Sequence, residues 1–159
     1  MKSLDKLGLD LCAFQGRVFE LATRCAKESS LLFVRRFMKS DIARSLDNLA
    51  IVEGLDESAA LTSLEKQFKD VDKGKKYSPN AMYWVGYMYR YICYTRQISS
   101  RLVYEWFKPS LLLSLYESHH TQSEEYTIAS LTELTHLDPN LFDLHYRFKA
   151  NLQKRMAAR

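Results

Sequence analysis

An all-α bundle is the fold class this sequence predicts, and three observations carry it. Five glycines and three prolines in 159 residues leave few turns, so the elements must be long. Apolar residues recur at spacings of three and four along most of the chain, and no period-two run flanked by turn residues is found. The stretch 81–94, AMYWVGYMYRYICY, is apolar or aromatic except at Gly86 and Arg90 and holds half of the ten tyrosines. A helix that is apolar on nearly every side must be surrounded by others. The expectation is therefore one domain, 1–159, of six to eight helices packed around a central helix from 81 to about 97.

The first helix is marked by Leu4, Leu7, Leu11, Phe14, Val18, Leu21 and Cys25, a seam ending near Ser29 and Ser30. Three heptads suit one antiparallel helix of a bundle better than a dimeric coiled coil. A second helix carries Leu31, Val34 and Met38 with Phe37 beside them. At Ser40-Asp41 the chain either bends or restarts, followed by Ile42, Leu46 and Leu49. After Gly54 a third helix carries Leu61, Leu64, Phe68 and Val71. The charged segment 70–78, DVDKGKKYS, is expected to be a mobile loop. Ser78-Pro79 opens the central helix sharply. Ser99-Ser100 caps a short helix with Leu102, Val103, Trp106 and Phe107, and Pro109 opens another with Leu111, Leu112 and Leu115. Thr121 and Glu124 have capping-box spacing, and Asp138-Pro139 starts the last helix, with Leu141, His145, Phe148, Leu152 and Met156 directed inward.

Composition narrows the function. With 47% hydrophobic and 26% charged residues the chain is globular. A net charge of +4 allows an acidic partner but is mild for a dedicated nucleic-acid binder. The N-terminus has Asp5 and Asp10 inside its apolar pattern and no small-residue cleavage site, so it does not read as a signal peptide. The 81–94 run is shorter than the ~20 apolar residues a bilayer needs. A soluble, cytoplasmic protein is expected, with Cys12, Cys25 and Cys93 as reduced core thiols.

No phosphate-binding glycine loop or hydrolase, redox or zinc motif is present in the sequence, and Glu124 and Glu125 are accounted for by a helix N-terminus. Neither enzymatic activity nor a cofactor is expected. His119 and His120 are adjacent and point in different directions, which suits helix-end bonding or a partner contact rather than a metal. His136 and His145 have no ligand-like companions. Arg35, Arg36, Lys39 and Arg44 form a basic cluster. The segment 42–46 partly matches the second helix of a helix-turn-helix, but Asp47 stands where a turn glycine is usual and Glu53 where an apolar residue is needed. A solvated face is the default there. Contact with an acidic partner or a nucleic acid, as in an operon autoregulator, is the alternative.

Tyr83, Tyr87, Arg90 and Tyr94 share one stripe of the central helix, opposite Ala81, Val85, Met88 and Ile92, with Trp84 and Tyr91 on the flank. Two readings stand. Arg90 is a structural arginine tying the helix to its neighbours, for instance through the capping turn at Thr121. Alternatively, the stripe joins His119, His120, Thr121 and Tyr126 in an exposed partner-binding surface, since tyrosine and arginine are enriched at interfaces.

Three blocks carry a resemblance: 36–41 (RFMKSD), 82–91 (MYWVGYMYRY) and 120–126 (HTQSEEY). Together they resemble a group of small bacterial helical proteins encoded in short operons beside ADP-ribosyltransferase-like toxins. The resemblance implies an antitoxin or accessory partner of a cognate protein toxin, and it implies no catalytic residue.

Overall fold

Serine and aspartate caps open seven of the nine described helices, and the seventh and ninth start without a side-chain cap. The computed structural model describes residues 1–49, 55–68 and 73–158. Among these it contains nine helices and no strand: α1 (Lys6–Cys25), α2 (Ser30–Met38), α3 (Asp41–Asp47), α4 (Glu57–Gln67), α5 (Pro79–Arg96), α6 (Ser100–Trp106), α7 (Pro109–His119), α8 (Glu124–Thr135) and α9 (Asn140–Ala157). Asp5, Ser29, Ser40, Asp56, Ser78, Ser99 and Ser123 each accept a hydrogen bond from the backbone N–H three residues on. A cap of this kind contributes about 1 kcal/mol. Ser40 restarts the chain rather than bending it, which takes the total beyond the expected six to eight. The cap of α8 is Ser123 and not Thr121, because the turn at Thr121 is used to close α7, with the Gln122 N–H donating to the His119 carbonyl.

The central pair is α1 against α5, and glycines let them approach. A β-carbon at Gly8 would meet the Tyr94 ring, one at Gly16 the Tyr83 ring, and one at Gly86 the Gln15 carbonyl oxygen at 2.7 Å. Rising numbers on α1 meet falling numbers on α5, so the two run antiparallel. The buried face of α1 is consequently Gly8, Leu11, Cys12, Gln15, Gly16, Val18, Phe19 and Ala22. This is broader than the expected leucine seam and rotated from it. Phe14 and Leu21 are only half-buried, and Cys25 is exposed rather than a core thiol.

Phe19 packs edge-on to Phe33 and Phe37, with ring centroids 5.2 and 5.0 Å apart. These rings join α1 and α2, while Leu31 of the expected face points outward. Of the third helix's expected stripe, Leu61 and Leu64 are buried, Phe68 is the C-cap, and Val71 lies outside the described residues, as do Glu53 and Gly54. The segment expected to be mobile, 70–78, is described from residue 73 and is anchored there. The Ser30 N–H donates to the Lys75 carbonyl, and the Tyr77 N–H to Ser30 Oγ. Lys76 Nζ donates to the Ala22 and Ala26 carbonyls, closing the C-terminus of α1.

The last helix corrects another expectation. Only Phe142 of α9 is buried, against Trp106 and Phe107. Leu141 and His145 are partly covered, whereas Phe148, Leu152 and Met156 face solvent. The helix docks by the side that carries Phe142, because that is where α6 presents its aromatic rings. Residues 151–158 are exposed, although Gln153 still lines a surface cavity with Lys2, Leu49 and Gln97. No helix among the described residues is long and apolar enough to cross a membrane.

Candidate functional site

The tyrosine stripe of α5 faces α1 rather than solvent. Arg90 is 1% exposed and Tyr94 is buried, and the rings of Tyr83 and Tyr94 lie over Gly16 and Gly8. Tyr83 and Tyr87 are half-buried and stack on each other at 6.4 Å. Tyr94 Oη donates to Asp5 Oδ1 at 2.6 Å, and Lys2 Nζ sits 3.8 Å over its ring. The expected surface joining Arg90 and Tyr94 to the His119 segment therefore does not form. A phenol ring flattened on a glycine needs no solvent, and its hydroxyl reaches the helix edge for a partner.

Arg90 is tied to three elements, none of them the Thr121 turn. Its Nε donates to Gln15 Oε1 (2.8 Å), Nη1 to Asp47 Oδ1 (2.7 Å) and Nη2 to Ser100 Oγ (2.8 Å). Asp47 also accepts from the Ser100 N–H (2.8 Å) and hydroxyl (2.6 Å). The guanidinium thus ties α1, α3 and α6 to α5 with its charge matched. Sequence reasoning missed Asp47 as a partner, although its position was informative. It follows Ala43 by four and Leu46 by one on the buried side of a short helix, where a carboxylate requires a cation.

The arginine that does reach the capping segment is Arg96, which bonds Glu125 at 2.8 Å, while Tyr91 Oη donates to the same carboxylate at 2.9 Å. Arg96 holds Glu125 below the usual carboxylate range, and burial raises the Tyr91 phenol. Burial also pushes Tyr87, which faces Glu124, up to about 12.

The remaining candidates come together at the corner where α5, α7 and α8 meet. Trp84 packs edge-on to Tyr116 at 5.8 Å, and Tyr116 stacks on His120 at 4.7 Å. His119 stacks on Tyr126 at 5.3 Å. His120 Nδ1 lies 2.8 Å from the Tyr116 carbonyl, so that nitrogen carries the proton. His119 bridges Ser118 Oγ (2.7 Å) and Ser130 Oγ (3.0 Å) through its two ring nitrogens. Both histidines are thereby oriented, and Tyr126 is 56% exposed. Thr121 lies exposed in the turn beside them. The result is a rigid aromatic platform with polar atoms along its edge. Trp84 and Tyr116, absent from the expected site, complete it. Trp84's flank position on α5 is the one sequence signal that pointed there.

The basic cluster is dispersed and partly neutralised. Arg36 lies 3.7 Å from the buried Glu28 and over the Phe68 ring, Lys39 pairs with Glu105 at 2.8 Å, and Arg44 pairs with Asp41 at 3.0 Å. Lys108 and then Lys39 hold Glu105 down at about 2. Arg35 is exposed. Among the described residues no group of three or more His, Cys, Asp or Glu is placed to hold a metal ion.

Fold and site together define an all-α, single-domain bundle with an ordered aromatic–histidine corner on its surface. Comparison with protein-family models, with curated proteins and with solved structures finds no match in any of the three.

Proposed function

We propose that this chain is a non-enzymatic partner-binding protein, an antitoxin that neutralises an ADP-ribosyltransferase-like toxin by direct contact. The observation that carries the binding reading is the aromatic–histidine corner. Tyr126, His119, His120, Tyr116 and Trp84 offer large, pre-oriented contact area whose rotamers are already fixed by stacking, so little entropy is lost on docking. The toxin as partner rests on the resemblance of the three sequence blocks, one of which (120–126) supplies part of this corner. The nucleic-acid alternative is weaker, since Arg36, Lys39 and Arg44 already face carboxylates of their own chain.

Co-expression with the product of the adjacent gene tests the proposal. A stable complex and rescue of growth are expected, with Tyr126→Ala weakening binding at least tenfold at a melting temperature close to the parent's, since that side chain is 56% exposed. A toxic neighbour that this protein neither binds nor neutralises would defeat the reading. Tight, sequence-selective DNA binding with a steep salt dependence would replace it with the autoregulator.

A further inference from the structure

The end of α5 and the inner side of α9 border a cavity of about 360 Å³ whose charged groups are all cations. Lys2 and Lys149 stand on its wall with Tyr146, Gln97 and Gln153, and Leu49 and Ala150 supply the apolar part. Among the described residues no carboxylate reaches that wall. Three other surface cavities each carry one, at Asp138 and Asp143, at Asp56, and at Asp47. The volume falls at the small end of ligand pockets, which run from about 300 to 1,000 Å³.

Neither ammonium group is used up inside the fold. Lys149 is half-buried, yet among the described residues it makes no ion pair and no hydrogen bond. Its charge reaches the buried Cys93 thiol, which places it near the end of α5. Lys2 Nζ rests on the Tyr94 ring, and the Asp5 carboxylate that feels its charge lies off the wall, already bonded by the Gly8 N–H and Tyr94 Oη. The last carbonyls of α5 do not call for these cations either. Those of Cys93, Tyr94 and Thr95 accept from the Ile98 N–H, Gln97 Nε2 and the Lys2 N–H. The Tyr146 hydroxyl and the Gln153 amide are likewise without a partner in the fold. A half-buried cation with no counter-charge is costly until something supplies one.

We propose that this cavity binds a phosphate monoester carried on a small apolar or aromatic body. Two ammonium groups match a phosphate charge of about −1.5 to −2 at neutral pH, and lysine binds phosphate as a point charge. The Tyr146 hydroxyl and the Gln153 amide offer neutral donors for the remaining oxygens. Leu49, Ala150 and the Tyr146 ring seat the organic body. A monocarboxylate would leave one lysine unmatched. No residue of the aromatic–histidine corner lines this cavity, so the site stands apart from the toxin reading.

Amide NMR titration of the full chain with phenyl phosphate, inorganic phosphate and succinate, at about 0.15 M salt, is the test. Phenyl phosphate should bind with a dissociation constant of about 1 mM, as its size allows. Its shifts should centre on Gln97, Lys149 and Gln153. Inorganic phosphate should bind more weakly, because it leaves the apolar wall empty, and so should succinate. Lys149→Gln and Lys2→Gln should each weaken phenyl phosphate about tenfold, the loss of one charge-assisted bond. Lys154→Gln, an exposed lysine of the same helix off the wall, should change it less than about twofold. Peak dispersion in the same spectra reports folding, and Lys2→Gln carries the test if Lys149→Gln fails to fold. Absence of saturable shifts up to about 10 mM, or shifts centred elsewhere, would overturn the proposal. So would equal weakening by Lys154→Gln, the mark of general charge attraction, or succinate binding as tightly as phenyl phosphate.

Discussion

Arg90 Nη1 and Asp47 Oδ1 lie 2.7 Å apart across the α5–α3 contact, and Ser100 bonds both residues. The side chains are 1% and 11% exposed, so the pair is cut off from most solvent screening. Such a pair specifies a geometry more than it adds stability, but removing one member strands the other.

Arg90→Ala should cost about 3–5 kcal/mol, the range for breaking a buried pair. Arg90→Met combined with Asp47→Leu should cost less than the two single changes summed, because no charge is then left unmatched. Urea denaturation of the four proteins measures this coupling. Strict additivity would show that the pair is not energetically linked.

Gly86→Ala tests the close approach of α1 and α5. The added methyl would sit 2.7 Å from the Gln15 carbonyl oxygen and 2.8 Å from the Phe19 ring. Backbone cannot step aside as a side-chain tip can, so a loss of about 1–3 kcal/mol is expected, the usual cost of overpacking. The better helix propensity of alanine offsets it by at most about 1 kcal/mol. A melting temperature above that of the parent would contradict this packing.

Thiol reactivity should divide the three cysteines. Burial pushes the Cys12 and Cys93 thiols up to about 12, whereas Cys25 is exposed. The thiolate is the reacting form. A thiol reagent at neutral pH should modify Cys25 quickly and the other two only on unfolding. Fast modification of all three would mean that the α1–α5 contact opens readily.

Stability should fall at both ends of the pH scale. Glu105 is held at about 2 by Lys108 and Lys39, and Glu57 and Glu125 are lowered by Arg17 and Arg96. A lowered carboxylate stabilises the fold above its unfolded value of 4.5, and that contribution is lost as pH falls towards 2. Cys12, Cys93, Tyr87 and Tyr94 are raised to about 12 from ordinary values of 9.0 and 10.0. Their contribution is complete below about pH 9 and drains away as pH rises towards 12. Melting temperatures should form a plateau between about pH 5 and 9. A maximum below pH 4 would be inconsistent with these pairs.

The sequence by itself determined the all-α class, most of the helix starts and the central place of α5. Those features are local, since a serine three residues before its N–H partner or a three–four apolar spacing acts within one helix. It did not determine which way the helices are turned. Tyr83 and Tyr94 read either as packed around a structural arginine or as part of an exposed binding surface, and only Gly16 and Gly8, some 70 to 90 residues earlier in the chain, decide between these by offering flat seats for their rings. Arg90 could not be assigned its partners from spacing, because Gln15, Asp47 and Ser100 come from three other helices. The apolar stripe of α9 read as inward, and only the position of Trp106 and Phe107 turned Phe142 to the core and left Phe148 in solvent. Helix rotation is fixed by steric fit between distant segments. One-dimensional periodicity names a face, but the neighbour decides where that face looks.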